Sequence, residues 1–188
     1  MNIQEQHHAE LLQVVQRSGL LLPAIGLGGD LLVACLKSGG KILTCGNGGS
    51  AADAAHMSEE LVGRYKGNRR SLPAICLNVD GALMTCIAND FGFDAIFSRQ
   101  VEGLGKPGDV LVTFSTSGNS RNILLALHAA KAAGMKTLSL IGKDGGKTRG
   151  LSDLDLIVPS DTTARVQEIH TFIMHCWLER IELEFPPA

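Results

Sequence analysis

Apolar residues cluster in five short blocks along the chain: Lys41–Cys45, Ala74–Leu77, Asp109–Phe114, Thr137–Ile141 and Asp155–Val158. Each is apolar on nearly consecutive positions and bounded by Gly, Pro or Asn, the pattern of a strand buried on both faces. Longer stretches with helical spacing lie between them. Ser50–Arg64 is rich in Ala, Met, Glu and Leu, and Ser120–Ala133 ends at Gly134, a residue suited to the left-handed position after a helix. Strands alternating with helices predict right-handed βαβ units and a parallel sheet covered by helices.

Helical patterns at about Glu5–Arg17 and Gly29–Leu36 precede the first strand, and a long one at about Thr163–Glu184 follows the last. A bare doubly wound five-stranded sheet does not need them, so they are expected to pack on a partner subunit. The expected architecture is α/β, one domain over residues 1–188. Residues 1–38 form a helical region that packs on the oligomer, and 39–188 supply the sheet and its helices. A length of 188 residues with 45% hydrophobic content is enough for one sizeable core.

The formal net charge of -2 leaves no global basic field for nucleic acid. Five cysteines (Cys35, Cys45, Cys76, Cys86, Cys176) are odd in number and widely spread, poor material for a disulfide framework or a thiolate zinc site. The N-terminus lacks a basic and an apolar region of secretory type, and apolar runs such as Leu20–Ile25 fall short of the roughly 20 residues that span a bilayer. These features predict a cytoplasmic protein without a membrane partner.

In an open parallel sheet, ligands bind beyond the C-terminal strand ends. After the first strand comes Cys45-Gly46-Asn47-Gly48-Gly49-Ser50, and after the third Ser115-Thr116-Ser117-Gly118-Asn119-Ser120, each opening a helix. Ser50 is expected to cap the first of these helices. Either loop alone reads as an ordinary turn with a cap. The pair, at equivalent places in one sheet, reads as a phosphate cradle made without Lys or Arg. No P-loop and no Gly-x-Gly-x-x-Gly is present, so no nucleotide cofactor is expected.

His56 and Glu60 stand four residues apart, on one helix face, and Glu59 should point elsewhere. By themselves they are better read as a helix-face hydrogen-bonded pair. Gln167, Thr171 and His175 form a second polar stripe beside the apolar Val166, Ile169, Ile173 and Trp177. His170 reads as a core histidine. His7, His8 and His128 read as surface residues, and Lys66–Arg70 as a solvated basic loop.

Gly46-Asn47-Gly48-Gly49-Ser50, Asp53-Ala54-Ala55-His56, Glu59-Glu60-Leu61-Val62-Gly63-Arg64-Tyr65, Asn89-Asp90-Phe91-Gly92-Phe93, the Ser115–Ser120 loop, Gly142-Lys143-Asp144-Gly145-Gly146 and Arg165–His170 occur in that order. Together they closely resemble the phosphoheptose isomerases of the SIS sugar-isomerase family. The resemblance implies a flavodoxin-like five-stranded sheet and a homotetramer with active sites built between subunits. It also implies conversion of D-sedoheptulose 7-phosphate to D-glycero-D-manno-heptose 7-phosphate, toward nucleotide-activated heptose for bacterial surface glycans such as lipopolysaccharide. Carried over by motif, Asn47, Gly48, Gly49, Asn89 and Asp90 line the sugar site. Ser115, Thr116, Ser117 and Ser120 hold the phosphate, with Ser50 in the first loop. Glu60 and His175 take the acid–base roles. His56, Glu60, Gln167 and His175 form the site where family members can hold zinc, one per active site. Gln167 also counts among the substrate-binding residues. Moving a carbonyl between adjacent carbons requires removing a proton beside it, for which a carboxylate is a competent base and an imidazole a competent oxygen-side partner. The alternative is a non-catalytic SIS protein that binds the replication initiator. Such a protein has no chemical need for the Glu60–His175 pair.

Overall fold

The five apolar blocks become five parallel strands in the computed structural model, which describes residues 2–186. They are β1 (Ile42–Gly46), β2 (Ala74–Cys76), β3 (Val110–Ser115), β4 (Lys136–Ile141) and β5 (Leu154–Ile157). Their order is β2-β1-β3-β4-β5, with Ile42 of β1 opposite Val110 of β3 and Gly46 opposite Phe114. This is the doubly wound order expected, with strand direction of travel reversing between β1 and β3.

Among the described residues, seven α-helices flank the sheet: α1 (Ile3–Ser18), α2 (Leu22–Lys37), α3 (Gly49–Val62), α4 (Gly81–Phe91), α5 (Ser98–Leu104), α6 (Arg121–Ala132) and α7 (Thr163–Glu184). Successive strand side chains feed opposite faces. Ile42, Val110, Val112 and Phe114 join the core under α2, α3 and α7, whereas Leu43, Cys45 and Leu111 join the core under α4, α5 and α6. Burial on both sides is why these strands read as unbroken apolar runs. Gly134 takes φ +71° just beyond α6, as its position in sequence predicts.

Three features differ from the sequence expectation. α4 and α5 were not foreseen. α4 carries Gly81, Thr85 and Asn89, weak helix formers, although Asp80 caps it by accepting from the Leu83 N–H at 2.9 Å. α2 begins seven residues before the expected Gly29, because Gly26, Gly28 and Gly29 read as breakers. In the fold the last two permit close approach of α7: a Cβ on Gly28 would lie 2.7 Å from the Trp177 ring. The Trp177 indole N–H donates to the Ile25 carbonyl at 2.8 Å.

The third difference concerns length. A 3-10 turn joins α1 to α2, so helical structure runs through Ile3–Lys37, long and apolar enough to cross a membrane. The isolated run Leu20–Ile25 concealed this. One face of the segment is committed inside the fold, with Ile25, Leu32, Val33 and Leu36 in the core that α7 shares. Leu20, Leu22 and Leu27 of the same segment remain exposed.

Candidate active site

The two glycine- and serine-rich loops flank the reversal point between β1 and β3. Asn47, Ser50, Ser115, Thr116, Ser117 and Ser120 line a polar cavity of about 50 Å³, closed below by Phe114. No Lys or Arg lines it. An anion there would meet hydroxyls and the N-termini of α3 and α6, whose unpaired N–H groups carry partial positive charge. Asn47 and Asn122 exchange two amide hydrogen bonds of 2.9 Å, tying the first loop to α6. Asn122 was not singled out from sequence. A buried polar side chain in the first turn of α6 was its only signal, and burial is visible only in the fold.

Gly118 holds the second loop at φ +62°, and its N–H donates to the Ser115 hydroxyl at 3.1 Å. A Cβ on Gly118 would stand 2.0 Å from the Gly145 carbonyl, so the 142–146 loop is packed directly on the serine loop. Ser120 occupies the cap position of α6 but makes no side-chain cap bond, leaving its hydroxyl to the cavity. Ser50 departs from expectation. Gly48, at φ +58°, sits at the cap of α3, and Ser50 lies inside the helix, buried, with the cavity as its neighbour. The reason is that Gly48 reaches the turning conformation that a serine at this place would resist.

A second group assembles where α3 packs against α7. His56 Nε2 stands 3.4 Å from Glu60 Oε1 across one helical turn. The His56 and His175 rings meet edge to face at 5.3 Å, and Tyr65 stacks on His175 at 5.8 Å and 29°. Glu59 is exposed, as expected from its helix phase. Further along the same seam Thr171 donates to Asp53 Oδ1 at 3.2 Å, while the buried Asp53 Oδ2 has no partner. Burial pushes the Asp53 carboxyl pKa up, against the Thr171 hydrogen bond and the nearby His56. Gln167 presses on the start of α3: a Cβ on Gly49 would meet its Nε2 at 2.3 Å.

His56, Glu60 and His175 therefore come together, and Gln167 sits at the phosphate end of the seam. A helix rises 1.5 Å per residue, which separates the Gln167 and His175 backbones by about 12 Å. Two imidazoles, a carboxylate and an amide are a donor set of the right type for zinc. The unpartnered Asp53 oxygen adds an uncompensated acceptor beside them. Among the described residues, no three His, Cys, Asp or Glu are drawn together as tightly as a closed ligand set. Asn89 and Asp90 are not brought to either group. They are exposed on α4, where the Asn89 amide donates to Asp90 at 2.8 Å.

The remaining histidines follow the sequence reading in part. His7, His8 and His128 are exposed. His170 is fully buried with its ring against Phe114, and neither ring nitrogen makes a full hydrogen bond. Burial drives its pKa down to about 4, slightly offset by the Ile141 backbone. The expectation of a solvated Lys66–Arg70 loop is overturned at Arg69, whose side chain is 1% exposed. Sequence treats the three basic residues there alike, whereas the path of the loop buries one of them.

A larger, apolar cavity of about 430 Å³ lies between α7 and the α1–α2 junction. It shares no lining residue with the polar cavity and offers no chemistry.

The SIS domain model matches residues 6–142. A phosphoheptose isomerase from Campylobacter jejuni is 50% identical over 185 residues, covering 98% of this chain and all of that protein. One from Helicobacter pylori is 56% identical over 155 residues, 82% of this chain and 81% of the relative. Among solved structures, a phosphoheptose isomerase from Francisella tularensis superposes with a TM-score of 0.93 at 37% identity, covering 97% of this chain and 100% of that one.

Proposed function

The chain belongs to the SIS domain family, and from that premise we propose that it is an aldose–ketose isomerase. It converts D-sedoheptulose 7-phosphate to D-glycero-D-manno-heptose 7-phosphate, which feeds nucleotide-activated heptose into surface glycans. The observation that carries this reading is the seam between α3 and α7, where Glu60 and His175 flank His56. The serine cavity opens at the other end of α3. Anchoring and chemistry are thus separated, as a sugar with phosphate at one end and its carbonyl at the other requires. A non-catalytic initiator-binding protein would leave this arrangement without a purpose, and the relatives compared speak for the isomerase.

In this reading Ser115, Thr116, Ser117 and Ser120, with Ser50, bind the phosphate. Asn47, Gly48, Gly49 and Gln167 bind along the sugar. Phosphate binding positions the distant carbons, turning binding free energy into orientation. Glu60 removes a proton from C1 of the ketose and returns it to C2, while His175 moves the hydroxyl proton from O1 to O2 through a cis-enediol. His56, Glu60, Gln167 and His175 would hold one zinc per site, which when bound polarises the substrate oxygens. Activity after exhaustive chelation, measured with metal content on the same sample, checks the metal. Full turnover by metal-free protein removes it from the reaction.

The domain spans residues 1–188, and four copies form a homotetramer whose sites are completed between subunits. The exposed apolar residues of the helical segment Ile3–Lys37, Leu20, Leu22 and Leu27 among them, support this. So do Asn89 and Asp90, which are exposed on α4 and do not line their own chain's cavity, and which in this reading are supplied to a neighbour's. Burial of that helical face between subunits fits a cytoplasmic enzyme.

The deciding experiment incubates the protein with sedoheptulose 7-phosphate in D₂O and follows products by NMR. Aldose carrying deuterium at C2 supports the enediol route. No aldose at all overturns the assignment.

A further inference from the structure

Residues 63–70 leave the end of α3, cross to α7 and are fastened there by a buried guanidinium. Arg69 Nε donates to Glu182 Oε1 at 2.7 Å. Its Nη2 donates to the Glu60 carbonyl at 2.8 Å, and its Nη1 to the Leu61 and Arg70 carbonyls at 3.0 Å. The second oxygen of Glu182 accepts from the Gly67 N–H at 3.0 Å. The side chains of Arg69 and Glu182 are 1% and 10% exposed. Glu182 lies seven residues after His175, two helical turns along the same face of α7. Tyr65, carried by the same loop, is the ring stacked on His175.

One side chain therefore touches the backbone of Glu60, the helix that carries His175, and the loop that presents Tyr65. A cation also suits the carbonyl end of α3, where the helix dipole is negative. We infer that Arg69 is a positioning residue for the reaction. It holds the end of α3 that bears Glu60 in register with α7, and it sets Tyr65 on the His175 ring. The inference rests on the reading of Glu60 and His175 as the acid–base pair. Lysine cannot substitute, because an ammonium lacks the flat fork that reaches a carboxylate and three carbonyls together.

Arg69→Lys keeps the charge opposite Glu182 and tests the fork. The expected result is kcat lowered by about 10- to 100-fold, as for small misplacement of reacting groups. KM should change by less than about twofold, since the phosphate cavity lies at the other end of α3. The His175 Cε1–H resonance should move toward its unstacked position as Tyr65 loosens. Wild-type kcat with an unmoved His175 resonance overturns the inference, as does a loss confined to KM. If Arg69→Lys does not fold, the double variant Arg69→Met, Glu182→Met replaces the buried ion pair by apolar side chains, a change often tolerated in stability. Folded protein with low kcat and a shifted resonance supports the role, and folded protein with wild-type kcat overturns it. Glu60→Gln separates the two claims. An active Glu60→Gln enzyme removes the acid–base reading itself, whereas an inactive one beside a wild-type-like Arg69→Lys removes only the role of Arg69.

Discussion

The serine cavity and the α3–α7 seam are built by opposite means. The cavity is made of contiguous loop residues, neutral hydroxyls and backbone N–H groups, held by glycines whose conformations are prescribed locally, such as Gly118 at φ +62°. The seam is made of titratable side chains from helices more than a hundred residues apart, held in place by packing and by a buried Arg69–Glu182 pair. A site that must recognise a phosphate of fixed shape can be encoded in a turn. One that must move protons needs groups that face each other across elements, where a small shift changes rate more than affinity.

Three perturbations test this contrast. Glu60→Gln should cost the most, lowering turnover by about 10²- to 10⁴-fold, the usual contribution of a general base. Phosphosugar binding, measured by calorimetry, should survive. Near-normal turnover would dissolve the contrast by removing the chemistry from the seam.

On α7, the helix that carries His175, His170 sharpens it by showing what a histidine does when packing alone decides its state. Its folded pKa, about 4, lies below the ordinary 6.5, so between these values the unfolded chain binds more protons than the folded one. Stability contributed by the neutral ring is intact above pH 6.5 and is lost as pH falls toward 4, about 3 kcal/mol in all. Denaturant midpoints across that range should show the fall, and His170→Phe should flatten it. An unchanged slope in the variant would place the acid sensitivity elsewhere.

Ser117→Ala should have the smallest effect. It loses one of several phosphate donors, about 1 kcal/mol, and should appear as KM raised several-fold with kcat held. A loss confined to kcat would break the separation of anchoring from chemistry.

The fold was legible because β1, β3 and β4 announce burial on both faces and glycines mark the ends of several elements. The terminal helix was read as Thr163–Glu184, its observed bounds. α4 was missed because Gly81, Thr85, Asn89 and Asp90 interrupt its good helix formers and Ile87 is its only buried residue, so no long apolar stripe marks it in the sequence. Likewise Gly28 and Gly29 look like breakers until Trp177 lies against them. At the site, the loops and the His56–Glu60 spacing could be read from order alone. The reach of Tyr65 to His175, the Asn47–Asn122 exchange and the burial of Arg69 could not, since each joins residues whose separation in sequence carries no information about their distance in space.

Local backbone chemistry and periodic burial thus determined by themselves the parallel sheet, the two glycine- and serine-rich turns at its strand ends and the His56–Glu60 spacing on one helix face. The tertiary structure decided which of those residues meet, which arginine is a bolt and which histidine is neutral. Those outcomes depend on desolvation and on the register of packed helices, both of which arise only when distant segments exclude water together.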